Sequence, residues 1–160
     1  MSWPGVLALA VVIVAATAWA GWRRRRAGTL RVSRSQGDET TAALSPAELG
    51  GPLGERATLV QFSSAFCRPC VATRQVLGAA AATVPGVAHV EVDAESHLDL
   101  VRRLRVGATP TTLLLDARGV ERRRAGGVPR KHEVLAALAE VVDAPLPRDV
   151  QARLASEADA

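Results

Sequence analysis

Apolar residues are distributed along this chain in two different ways, and the change from one to the other divides it. From Trp3 to Trp22 twenty consecutive positions carry no charge, and a helix of that length reaches about 30 Å, the thickness of a bilayer's hydrocarbon core. From Leu44 onward the apolar residues instead come in short runs separated by Gly, Pro, Ser and Asp. Thr58-Leu59-Val60-Gln61-Phe62 is short, β-branched and largely apolar, as a buried strand is. A helix is predicted from about Arg68 to Thr83, ending before Pro85-Gly86, and Val87–Val92 is the next strand. Ser96 is placed to cap a helix with Leu98, Val101 and Leu104 on one face. Strands follow over Thr111–Leu115 and Val120–Ala125, joined by Asp116-Ala117-Arg118-Gly119 with glycine where a hairpin needs positive φ. Lys131–Val142 is an amphipathic helix closed by Pro145 and Pro147. Ahead of the first strand, Ser45-Pro46-Ala47-Glu48 has the pattern of a capping box for a short helix.

The predicted order, β-α-β-α-β-β-α, implies two crossovers giving parallel strands, a hairpin adding an antiparallel edge, and helices on both faces: a three-layer α/β/α domain with a mixed sheet. The run Arg122-Arg123-Arg124 suits an edge strand, where charge discourages pairing. Four segments are expected: a transmembrane anchor helix over 1–22, a basic tether over 23–43, the α/β domain over 44–144 and a C-terminal helical tail over 145–160. Within the tether, Leu30-Arg31-Val32 can still pair at a sheet edge.

Composition adds an orientation. Of the chain's 20 Lys and Arg, six lie in residues 23–37 with no acid among them, leaving 14 basic against 16 acidic residues elsewhere, a formal net charge of −2. The basicity is therefore juxtamembrane. Arg23, Arg24, Arg25 and Arg26 follow the apolar run directly and place its C-terminal side in the cytoplasm, where they meet anionic lipid. Trp3, Trp19 and Trp22 stand at the two ends of the run, in the headgroup zone. Ala16-Thr17-Ala18 and Ala18-Trp19-Ala20 offer cleavage sites for a signal peptide, but no cationic segment precedes the run, so a retained anchor in the cell membrane is expected. A nucleic-acid surface would need basic charge spread over the domain and interleaved with aromatics, and the domain has only Phe62 and Phe66; no nucleic-acid partner is expected.

The chemistry is concentrated in Cys67-Arg68-Pro69-Cys70, which holds both cysteines of the chain at the junction of the first strand and the first long helix. A thiolate at a helix N-terminus is stabilised by unpaired N–H groups and the helix dipole. Cys67 is the expected nucleophile, and Cys70, one turn in, the thiol that resolves the mixed disulfide. Pro69 fits a first turn, where the N–H it lacks has no helical partner. The alternatives are a zinc site, a structural staple or two inert buried thiols. Zinc needs about four ligands, and the spacing of His89, His97 and His132 shows no convergence on the thiols. A staple across three residues closes a very short loop and removes little unfolded-state entropy.

With Phe66-Cys67-Arg68-Pro69-Cys70, Thr109-Pro110-Thr111 and this element order, the segment from about Leu44 to Val142 resembles the thioredoxin family. The resemblance implies a cis Pro110 facing the dithiol, with Phe66, Arg68, Pro69, Thr109 and Pro110 as substrate-binding residues. It implies a protein dithiol–disulfide oxidoreductase without cofactor or metal, acting on protein disulfides as a monomer and recharged by an electron-donating reductase. Two departures matter. Phe66 stands where the family usually has tryptophan, and Gln61 where it usually has a buried aspartate that moves the resolving thiol's proton; the simplest reading of Gln61 is a hydrogen-bonded buried amide. Arg68 beside the thiolate contributes only about 0.3–1 kcal/mol at an exposed position. The leading expectation is a cytoplasm-facing, membrane-anchored reductase; the rivals are the same chemistry on the other side of the membrane and a non-catalytic binding module.

Overall fold

The computed structural model describes residues 3–26, 30–32 and 43–143. The expected tail over 145–160 and most of the tether lie outside the described residues, as do the side chains of Trp22 and Arg23–Arg26 that the lipid contact invokes. Helix α1 runs Trp3–Arg26, and every residue from 6 to 20 is exposed. Its hydroxyl at Thr17 turns inward, donating to the carbonyl of Ile13 at 2.9 Å. Among the described residues no helix is long and apolar enough to cross a membrane.

The domain is a mixed five-stranded sheet, ordered β1-β5-β4-β2-β3, with helices on both faces. Its strands are β1 (Arg31–Val32), β2 (Ala57–Ser63), β3 (Val87–Asp93), β4 (Thr111–Asp116) and β5 (Glu121–Gly126); its helices are α2 (Pro46–Leu49), α3 (Arg68–Ala81), α4 (Leu98–Arg103) and α5 (Lys131–Val142). Period-two alternation along the central strands builds a core on each side. Val60, Phe62, Leu113 and Leu115 pack with Leu49 of α2 and with Leu100 and Leu104 at α4. Ala57, Leu59 and Leu114 pack with Leu77 and Ala80 of α3 and with Val134 and Leu138 of α5. All seven residues of β2, the strand that delivers the cysteines, are buried, as are all six of β4.

Three expectations are corrected. First, only β2 and β3 are parallel; β4 pairs with β2 antiparallel. The second connection, between Asp93 and Thr111 and containing the six-residue α4, is not a crossover: Phe62 pairs with both Val92 and Thr111, so the chain re-enters the sheet at the end where it left and β4 runs back. Second, β5 is not an edge. Leu30-Arg31-Val32 does pair there, with Arg31 opposite Arg124 and Val32 opposite Arg123. The arginines of β5 do not prevent it, because they are neutralised locally: Arg122 reaches Asp116 at 2.7 Å, Arg124 reaches Glu121 at 2.8 Å, and Arg123 pairs with Glu140 of α5. A bulge between Leu114 and Leu115 puts Glu121 on the same face as Arg124, which makes their pair possible. Third, α4 is capped at His97 without a side-chain bond, since the Ser96 hydroxyl donates to Asp93 at 2.5 Å instead. The helix is also turned from the predicted phase: Leu98 is exposed while Leu100 and Leu104 are buried.

The hairpin and the capping box form as expected. Gly119 has φ 81°, and a Cβ there would stand 2.2 Å from the carbonyl oxygen of Leu44, so the turn needs glycine for conformation and for space. In the box, Glu48 N–H donates to Ser45 Oγ and Ser45 N–H to the Glu48 carboxylate at 2.8 Å, while Arg103 of α4 pairs with the same carboxylate. The Ser45 backbone bond, then the Arg103 and Ser45 side chains, hold the Glu48 pKa down to about 2. A carboxylate whose folded pKa is depressed contributes stability above its unfolded pKa and loses it as pH falls through the folded one. Glu48→Gln is therefore expected to cost about 1 kcal/mol at neutral pH, a difference that shrinks from about pH 4.5 toward 2 and is measured by urea unfolding along that series.

α4 ends in a Schellman motif, with Arg105 N–H bonded to Arg102 O at 3.1 Å and Val106 N–H to Val101 O at 2.9 Å. The residue in the left-handed position is Arg105, at φ 52°, where glycine carries no Cβ penalty. Arg105 is exposed and makes no ion pair among the described residues. Arg105→Gly is expected to raise stability by about 0.5–1 kcal/mol, visible as a rise in thermal midpoint.

Candidate active site

β2 ends at Ser63, and the loop Ser64-Ala65-Phe66 hands the chain to α3. Cys67 is the N-cap of that helix, in extended conformation (φ −88°, ψ 90°) and with no side-chain cap bond. Its N–H donates to Ser64 O at 3.2 Å, and its carbonyl accepts from Cys70 N–H at 3.0 Å. The turn places the two sulfurs in a disulfide, with S–S 2.03 Å and Cα–Cα 5.3 Å. Cys67 is half-buried, whereas Cys70 keeps only 2% of its surface. One sulfur faces outward and its neighbour lies behind it. Arg68 and Pro69 occupy the first two helical positions, both exposed, and Phe66 projects from the loop at 95% exposure.

The antiparallel ladder brings the second segment alongside. Phe62 is opposite Thr111, and continuing that register sets Pro110 against Ser63 and Thr109 against Ser64. The Thr109-Pro110 peptide is cis, as the resemblance implies. The loop is held on two sides: Ser64 Oγ and Thr109 Oγ1 are 3.0 Å apart in a hydrogen bond, and Pro110 O accepts from Gly127 N–H at 2.8 Å. Pro110 is buried and Thr109 half-buried. Thr109's own N–H and C=O have no backbone partner among the described residues, which leaves one donor and one acceptor for an extended peptide.

Behind Cys70 lies Gln61, fully buried on the α3 side of β2. Its Nε2 donates to Cys70 O at 2.9 Å, so it is the hydrogen-bonded amide of the simplest sequence reading. That bond uses only half of the amide. Among the described residues Oε1 of Gln61 has no hydrogen-bond partner, nor has Oγ1 of Thr112, the residue directly opposite it on β4. At the same end of the sheet, Arg74 of α3 forks onto Glu91 at 2.6 and 2.7 Å and holds that carboxyl below its usual pKa. Burial pushes the pKa of neighbouring His89 down. Among the described residues no three of His, Cys, Asp and Glu are placed to hold a metal.

Sequence reasoning names Cys67, Cys70, Phe66, Arg68, Pro69, Thr109 and Pro110, and the fold gathers them at one end of the sheet. It misses Ser64 and Thr112. Counting the ladder back from Thr111 would have found Ser64, but only with β4 already known to be antiparallel to β2.

A disulfide between an accessible helix-capping cysteine and a buried one a turn later, on a three-layer α/β sheet, defines a dithiol–disulfide oxidoreductase. The thioredoxin family model matches residues 52–140. Among solved structures the chain is similar to a mutant thioredoxin from Halobacterium salinarum, at 18% identity over 55% of this chain and 76% of that one, with a TM-score of 0.50. It is also similar to the thioredoxin NaTrxh from Nicotiana alata, at 27% identity over 56% and 76% of the two chains, with a TM-score of 0.46. No match is found among the curated proteins. The chain belongs to the thioredoxin family.

Proposed function

We propose that this chain is a membrane-anchored reductase of protein disulfides, working on the cytoplasmic side. The observation that carries the chemistry is the pairing of a half-exposed Cys67 with a 2%-exposed Cys70 at the start of α3. In the reduced state the Cys67 thiolate attacks one sulfur of a substrate disulfide; that S–S bond breaks, and the other substrate sulfur leaves as thiolate and takes a proton. Cys70 loses its proton and attacks Cys67 Sγ, releasing the second substrate thiol and forming the Cys67–Cys70 bond. An electron-donating reductase then returns two electrons and two protons. No cofactor enters these steps. Phe66, Arg68, Pro69, Thr109 and Pro110 border the substrate, and Thr109's free backbone groups supply the pairing an extended peptide needs.

The anchor is supported by α1, whose Val6, Leu7, Leu9, Val11, Val12, Ile13 and Val14 are each more than half exposed. A helix apolar on all sides suits lipid rather than water. The four arginines that follow support the inward orientation and an anionic-lipid contact, and monomeric action fits a site built within one chain.

The full chain, in detergent, is expected to catalyse insulin reduction by dithiothreitol, and Cys67 in intact cells to stay unlabelled by a maleimide that cannot cross the membrane. Absent turnover would leave only a binding module. Labelling in intact cells would put the same chemistry outside.

A further inference from the structure

Ser64 is hydrogen-bonded both to the Cys67 turn and to the Thr109 loop. Its carbonyl accepts the N–H of Cys67 at 3.2 Å, fixing the turn that presents the nucleophilic sulfur. Its hydroxyl shares a hydrogen bond with that of Thr109 at 3.0 Å, partly shielded from water and between residues 45 apart in sequence. On the other side the same loop is tied to the start of the β5–α5 connection through Pro110 O and Gly127 N–H. Besides the Ser64 bond, the segment from Gly107 to Thr109 is held by that tie at the adjacent Pro110 and by the internal bond from Thr111 Oγ1 to Ala108 O at 2.7 Å. Gly107 and Ala108 are exposed, and a Cβ built at Gly107 meets nothing within 4 Å. A β-branched side chain already has few χ1 choices, and bonding its hydroxyl leaves one.

We propose that Ser64 is a positioning residue that sets the distance between the Thr109 backbone and Cys67 Sγ, and so selects extended polypeptide disulfides over small ones. The inference rests on the reductase reading above. A polypeptide must reach both the unpaired Thr109 backbone and the sulfur at once, so its binding depends on that spacing. A small disulfide needs only the sulfur.

The test uses the full chain in detergent, with insulin as the polypeptide disulfide and 5,5′-dithiobis(2-nitrobenzoate) as the small one. One lost hydrogen bond of this kind corresponds to about a three- to tenfold rise in KM for insulin in Ser64→Ala, with kcat moving less than about twofold. The loss on the small disulfide is expected to be several times smaller. Ser64→Thr, which keeps the hydroxyl, restores KM, and in a Thr109→Val background Ser64→Ala adds nothing further. Equal losses on both substrates, an unchanged KM, or a full Ser64→Ala effect persisting in Thr109→Val each overturn the proposal. Amide hydrogen exchange provides a reading independent of activity: exchange over 107–111 should quicken in Ser64→Ala and recover in Ser64→Thr. Unchanged exchange there overturns the positioning role, whereas a wild type that reduces neither disulfide sinks the reductase reading and leaves the exchange result to decide on Ser64.

Discussion

Serine in place of Cys70 is expected to cut turnover of a protein disulfide by at least about a thousandfold and to leave Cys67 covalently joined to its substrate. The attack itself survives, because it needs only Cys67, half-exposed at the mouth of α3. The release does not. Cys70 lies three residues from Cys67 and forms a disulfide with it, so its attack is intramolecular, and such attacks have effective concentrations many orders of magnitude above millimolar free thiol. A serine hydroxyl cannot displace a sulfur from the mixed disulfide, so the intermediate accumulates and mass spectrometry under non-reducing conditions detects it. Cys67→Ser should be equally inactive but trap nothing, since Cys70, at 2% exposure, is screened from a large substrate. An adduct on Cys70 in that variant would reverse the two roles. Cys70→Ser also buries a hydroxyl, at about 1–2 kcal/mol, which makes the covalent adduct a better readout than rate alone.

What can be read from the sequence, and what cannot, separates by range. The turn residues, the capping box at Ser45 and Glu48, the glycine of the hairpin and the two cysteines at a strand–helix junction are local patterns, decided within four or five residues of chain. The alternation of Val60 and Phe62 against Leu59 is equally local, and it fixes which helices each side chain meets. The direction of β4 is not local. It depends on the end of the sheet at which the connection between Asp93 and Thr111 returns. The predicted helix through Leu104 has the wrong phase because Leu98 and Leu100 are equally apolar candidates for its inner face. The edge position of β5 fails for a related reason. Three consecutive arginines look exposed until Asp116, Glu121 and Glu140 are known to be within reach. The Ser64 to Thr109 contact depends on β4 being antiparallel, so it inherits that first error. The chemistry of the site is legible because it is carried by two residues one turn apart; the shape of the groove is not, because it is made between two segments.

Gln61→Asp is expected to destabilise the domain by about 3 kcal/mol at pH 8 and by much less at pH 5. Gln61 is fully buried beside Cys70 and donates to its carbonyl; a carboxylate there loses that donor and strands a charge. Burial raises the folded pKa above the unfolded value of about 3.9, so between those values the folded state holds the proton more tightly than the unfolded state. Stability is then greatest below the unfolded pKa and falls as pH rises through the folded one. Gln61→Asn separates the effects, because it has the same shortened side chain without the charge; its cost should not vary with pH, and subtracting it leaves the ionisation alone. The same carboxyl would place a titrating group behind the resolving thiol, where the wild type has only the unpaired Oε1 of Gln61 and Oγ1 of Thr112. The Gln61→Asp pH–rate profile should therefore gain an ionisation that wild type and Gln61→Asn both lack. Parallel stability curves for the Asp and Asn variants from pH 5 to 8 would mean that the site admits enough water to solvate a charge. In that case a solvent proton could reach Cys70 directly, and the neutral amide would be no obstacle to its chemistry.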